Sequence, residues 1–117
     1  MQMSLNFTGL RRIADEELPS KGTRYLALVE VNLIALYRRW GRPDVGMDDL
    51  GEWLCFAFAL PDGGKFVLQR EAYNPPTHGF LLSATKELFS AEAAEWIIGA
   101  LEIPEAVVVE LSDEVLN

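Results

Sequence analysis

Residues Arg24–Trp40 read RYLALVEVNLIALYRRW, and the way this run folds decides what surrounds it. Leu26, Val29, Leu33, Leu36, Tyr37 and Trp40 recur at steps of three and four, the spacing that lines up one apolar face of a helix. Thr23 can cap the start, and Gly41 stands at the C′ position with Pro43 two residues beyond. Arg38 and Arg39 occupy the last turn, where cations favour the helix dipole. The spacing therefore predicts one helix over about 24–40. Leu28, Val31 and Ala35 add a second apolar strip on its far side, which must be sandwiched inside the domain or buried in a second subunit.

Toward the N-terminus, Leu10, Ile13, Ala14, Glu17 and Leu18 have helical spacing behind Thr8, and Pro19 stops the pattern. A short helix is expected there, although its charges run the wrong way. Arg11 and Arg12 sit in the positive first turn and Asp15, Glu16 and Glu17 in the negative last one. Beyond the long helix, 42–51 reads as a loop rich in Asp and Gly. Glu52–Leu60 and Lys65–Ala72 then read as two strands joined by Pro61-Asp62-Gly63-Gly64, a hairpin with glycine where a positive φ is wanted. Leu54, Phe56, Phe58 and Leu60 alternate with Trp53, Cys55, Ala57 and Ala59, so both faces of the first strand should be buried. On the second, Phe66 and Leu68 face inward and Val67, Gln69 and Glu71 outward.

Asn74–Gly79 is a loop, because two prolines forbid a helix interior and remove ladder donors. A third strand is expected at about 80–85, a helix capped by Ser90 at 91–101, and a fourth strand at 106–111 carrying three consecutive valines. A helix starting at Pro104 is the alternative for that last segment, and 112–117 reads as a frayed acidic tail. Residues 1–117 thus form one α+β domain. A three- to four-stranded, mainly antiparallel sheet packs its Leu54/Phe56/Phe58/Phe66/Leu68 side against helix 24–40, with helix 91–101 beside it or on the other face. The small side chains of Cys55, Ala57 and Ala59 would let another layer approach, and a homodimer would supply it if the chain does not.

The charge is strongly polarised. Residues 87–117 hold eight carboxylates and no Lys or Arg, whereas ten acids and ten bases cancel before them, so the net charge of −8 belongs to the C-terminal quarter. With a pI near 4.5, binding to phosphate backbones is disfavoured, since that affinity rests on Lys and Arg. Apolar runs such as 25–37 fall short of the roughly 18–20 residues that span a bilayer. The N-terminal stretch has no basic n-region and no long apolar segment, and the single Cys55 cannot form an internal disulfide. The expectation is a cytoplasmic protein that binds neither nucleic acid nor membrane.

Three groups of residues are candidates for function. On a helix over 91–101, Glu92, Glu95 and Glu102 fall on one side with Gly99 among them and Trp96 on the flank, the make-up of a patch for a basic partner. The plainer alternative is a solvated helix face. Glu30 lies at the edge of the apolar face of helix 24–40, where a carboxylate must be paired or protonated, and Arg70 could supply the partner. Together with Tyr73 and the only histidine, His78, they would line a pocket between that helix and the sheet, suited to a small ligand or to acid/base chemistry. Asp44, Asp48, Asp49 and Glu52 crowd four carboxylates together but lack the order of a calcium loop. No cofactor, metal or nucleophile motif is present, so no catalytic residue is assigned. The expected function is a small interaction module, of the accessory, inhibitor or immunity-like kind. It would bind a basic partner or itself through the acidic quarter, and a ligand-binding protein or enzyme is the alternative.

Overall fold

The computed structural model describes residues 9–18, 22–49, 51–72 and 79–116. They form one antiparallel sheet of seven strands: β1 (Arg11–Ile13), β2 (Arg24–Glu30), β3 (Asp44–Asp48), β4 (Gly51–Ala59), β5 (Lys65–Glu71), β6 (Gly79–Ala84) and β7 (Val107–Leu111). The spatial order is β1-β4-β5-β6-β2-β7, with β3 also paired to β4 beside β1. Two helices of two turns or more, α1 (Leu33–Trp40) and α2 (Ala91–Ala100), and a single turn, α3 (Asp113–Leu116), complete the α+β fold. The sheet is therefore nearly twice as wide as the three to four strands expected.

The main correction falls on residues 24–40. Their first half is β2, an inner strand between β6 and β7, and only the second half is helix. A β-bulge explains why the run mimics a helix. The ladder with β6 passes from Tyr25↔Ser83 to Ala27↔Leu82 and skips Leu26, so Leu26, Ala27 and Val29 are all fully buried. The strand's inward positions thereby include a step of three, which continues without a break into Leu36 of α1. The helix begins at Asn32, whose Oδ1 accepts a hydrogen bond from the Ala35 N–H at 3.0 Å, not at Thr23. Its end is as expected: Gly41 has φ 92° and its N–H donates to the Tyr37 carbonyl. The strip Leu28/Val31/Ala35 does not exist as a seam, because Leu28 belongs to a strand and Ala35 to a helix.

Three smaller corrections follow. The expected helix after Leu10 is β1 and one 3-10 turn at Asp15–Glu17, which removes the unfavourable dipole arrangement; the expected cap Thr8 and stop Pro19 lie outside the described residues. The loop at 42–51 contains β3, which hairpins onto β4 from Asp48↔Gly51 to Asp44↔Cys55. The acidic tail turns into α3, where the Ser112 hydroxyl accepts from the Glu114 N–H. The hairpin β4–β5, with Gly63 at φ 101°, and strand β7 stand where they were read.

One face of the sheet carries the main core. Phe56 and Phe58 of β4, Phe66 and Leu68 of β5, and Phe80 and Leu82 of β6 are fully buried under Leu36 of α1 and Ala94, Ile97 and Leu101 of the α2 region. Phe58 stacks on Phe66 at 4.9 Å between ring centres and meets Trp40 edge-on at 5.2 Å. The Trp40 indole N–H donates to the Leu101 carbonyl at 2.9 Å, tying the end of α1 to the end of α2. On the opposite face Cys55, Ala57, Ala59 and Val67 are covered by Ile13, Leu18 and Trp53 of the same chain. The close approach expected at these small residues is thus made by β1 and the turn after it, and the outward Val67 is buried as well.

Candidate interaction surface

Of the acidic stripe expected over 91–101, Glu92 and Glu95 lie on α2 and Glu102 lies beyond its end. The Ser90 hydroxyl accepts from the Ala93 N–H at 3.0 Å and starts the helix. Ala94, Ile97 and Ile98 then turn into the core, while Glu92, Glu95 and Glu102 are exposed. Trp96 is half-buried and packs against the core cluster. Glu102 lies just past the helix in the left-handed region, with φ 58°, and pairs with Arg39 at 3.3 Å. Arg24 pairs with Glu114 at 3.4 Å. The acidic quarter is therefore partly answered by the chain's own arginines, though exposed pairs of this kind contribute only about 0–1 kcal/mol each. Glu92 and Glu95 make no ion pair among the described residues.

The described residues do not assemble the pocket expected around Glu30 and Arg70. Glu30 is exposed at the end of β2, opposite Gly79 and Val107. Arg70 follows Leu68 on the other face of the sheet, its guanidinium over the Phe80 ring at 5.7 Å. The two side chains are thus separated by the sheet itself. Tyr73 and His78 lie outside the described residues. A groove of about 590 Å³ opens elsewhere, between α1 and the turn after α2, and is lined by Ile34, Arg38, Arg39, Glu102, Ile103 and Pro104 among others. In the carboxylate-rich segment Asp44 serves the fold, accepting from the Asp15 N–H at 2.9 Å and pairing with Arg12 at 3.9 Å. Cys55 is buried, and that burial pushes its thiol above the usual cysteine range.

The surface that sequence reading missed is the outer face of β6, β2 and β7. Register places Leu81, Leu28 and Glu110 in one cross-strand row, with Glu30 and Val107 paired in the next row and Tyr25 beside Ser83. Leu81 is 40% exposed, Val107 48% and Tyr25 38%. Nothing among the described residues covers this half of the face, in contrast to the Cys55/Ala57 half. Carboxylates rim it. The Tyr25 hydroxyl is held above the ordinary tyrosine range, first by partial burial and then by the negative charges of Glu110 and Asp113. Taking 24–40 as one helix scattered these residues over different elements, so only a strand reading of Tyr25–Glu30 could have gathered them.

No protein-family model matches the chain, and neither a curated protein nor a solved structure does. Among the described residues no helix is long and apolar enough to cross a membrane.

Proposed function

We propose that this protein is an interaction module that holds a basic partner against the outer face of β6, β2 and β7, with the acidic C-terminal quarter steering the approach. One observation carries the reading: on the outer face of β6, β2 and β7 the exposed Tyr25, Leu81 and Val107 surround the half-buried Leu28 and are edged by Glu30, Glu110 and Asp113. Exposed apolar surface rimmed by charge is the usual make-up of a docking site, the apolar centre supplying affinity and the charges on-rate and partner choice. Glu92 and Glu95 on the helical side add to the same field, which reaches about 8 Å at physiological ionic strength. The partner-binding role first read for Glu92, Glu95, Trp96 and Glu102 becomes one of steering, because Trp96 is engaged by the core and Glu102 by Arg39.

The test is capture of proteins from an extract by the wild type, Leu81→Asp and Glu92→Lys/Glu95→Lys, each at low and high salt. A specific partner should be retained by the wild type and released by salt. It should be lost with Leu81→Asp and captured more slowly, yet still held, by the double charge reversal. Retention unchanged in Leu81→Asp refutes the assignment of the surface.

A further inference from the structure

We infer that β7 receives a strand from its partner: an extended segment in which Lys or Arg alternates with apolar residues, hydrogen-bonding along the free edge of Val107–Leu111. The inference rests on the reading above and names the partner's chemistry and its mode of docking. The two borders of the sheet differ in a way that singles out β7. At the β4 border the edge is divided between β1, three residues that include Arg11 and Arg12, and β3, which carries Asp44 and Asp48. β1 is too short to template a partner strand; β3 exposes Val45 and Met47, but its Asp44 is paired with Arg12 and its border is shared with Arg11 and Arg12, so no charge of one sign selects a partner there. At the other border β7 reads Val-Val-Val-Glu-Leu without lysine or proline, pairs with β2 on one side, and has no neighbouring strand on the other among the described residues. Val109, the residue skipped where the β2–β7 register shifts between Leu28 and Val29, is 50% exposed, and Val107 nearly as much. The bulge at Val109 divides the edge, and the apolar, exposed residues around it remain a template for main-chain pairing.

Charge decides what fills it. Glu105 precedes the strand, Glu110 lies within it and Asp113 and Glu114 follow it, with no base anywhere after Lys86. A strand laid along this edge places its side chains beside Val107, Val109 and Glu110, which favours apolar and basic residues in alternation. A second copy of the chain is the wrong occupant, because it would bring together two quarters that each hold eight carboxylates and no base.

Three synthetic nonapeptides test this with the full chain: alternating Lys and Val, the same peptide fully N-methylated along its backbone, and alternating Glu and Val. Fluorescence anisotropy measures binding, and hydrogen exchange reads the amides of Val107–Leu111. The Lys/Val peptide should bind at least tenfold more tightly than its N-methylated form, slow exchange along β7, and lose to the Glu/Val peptide in no competition. Equal binding of the first two would overturn strand pairing while leaving the acidic docking surface intact, since the methylated peptide keeps its charge and loses only its donors. No binding of the Lys/Val peptide overturns the inference as well, and the reading of the outer face is then judged separately by Leu81→Asp. Concentration-dependent dimerisation that protects β7 without peptide overturns it in favour of a second copy.

Discussion

Arg12→Ala removes the side chain that pins β1 to the rest of the domain. Its Nη1 donates to the Trp40 carbonyl at 3.0 Å and the Arg42 carbonyl at 3.2 Å, and its Nη2 lies 3.9 Å from Asp44. The guanidinium stands over the rings of Phe56 and Phe58, 5.1 and 5.8 Å from their centres. One strand of three residues is thus joined to the end of α1, the start of β3 and the aromatic core. Two charge-assisted hydrogen bonds contribute about 1.5–3 kcal/mol each, and the cation–π contacts add about 0.5–1 kcal/mol. Against this, the group is partly buried, and Nε is enclosed without a hydrogen-bond partner, at a cost of about 1–3 kcal/mol. The Arg42 carbonyl is near solvent and can turn to water after truncation. The net loss on Arg12→Ala comes to about 2–3 kcal/mol, or about 10 °C in Tm for a domain of this length.

Thermal and urea unfolding measure the total, and Cys55 locates it. The thiol shares a buried cluster with Ile13 of β1, against which Leu18 also packs, so detachment of β1 loosens its cover. If opening is local, labelling of Cys55 by a thiol reagent should accelerate roughly 30- to 140-fold, the same free energy expressed as a population. Arg12→Met keeps the stem on the rings and discards the buried charge with its unpartnered Nε, so its loss should be smaller, about 1 kcal/mol. A change below about 0.5 kcal/mol in Arg12→Ala, or labelling no faster than in the wild type, refutes the clamp.

Two further outcomes are expected. Glu102 sits at φ 58°, where any side chain beyond glycine costs about 1–2 kcal/mol, so Glu102→Gly should be more stable than Glu102→Ala by about 1 kcal/mol, the reverse of the usual order near helices. Both variants lack the Arg39 pair, which isolates the backbone effect, and calorimetry on the two decides it. Because Tyr25 ionises above the unfolded value, its contribution is complete below pH of about 10 and disappears as pH rises through the folded pKa. Stability should therefore fall in that alkaline range and fall less in Tyr25→Phe. Glu110→Gln should shift the phenolate absorbance titration, assigned by difference from Tyr25→Phe, part of the way back toward the ordinary value, and an unmoved titration removes Glu110 from the rim.

What could be read from the sequence was what local chemistry states outright. The Gly63 turn, the Ser90 cap, the Gly41 stop and the alternation of Phe56 and Phe58 with Cys55 and Ala57 each depend on neighbours a few residues away. Failure began where a single extra residue changed the period. The bulge at Leu26 set inward positions three apart, and the helix that really starts at Asn32 prolonged the pattern, so two elements looked like one. β1 and β3 were invisible for a different reason: they are strands only because β4 offers them an edge. Even there a trace existed in the dipole-opposed charges of Arg11 to Glu17, which argued against a helix. The exposure of Glu92 and Glu95 on α2 was legible because it follows from helical spacing alone, whereas Glu102 leaves the helix, and the outer face of β6, β2 and β7 needed a register that no local pattern contains.

The polarised charge gains a role from this placement. An unprotected apolar edge is ordinarily a hazard, since any copy of the same chain could pair with it. In this fold β7 lies inside the segment that carries the whole net charge of −8, so identical copies repel one another at the edge where they would otherwise join. Under the proposed strand docking, the same field would draw in a basic strand. A lysine within β7 would blunt the edge toward every partner alike; on the proposed docking, carboxylates around it would blunt the edge toward itself and leave it open to segments of opposite charge. Specificity then comes from repulsion of the wrong strand as much as attraction of the right one. Among the described residues Glu102 and Glu114 pair with Arg39 and Arg24, whereas Glu92, Glu95, Glu105, Glu110 and Asp113 make no ion pair, and on the proposed docking that unneutralised charge is what would discriminate between strands.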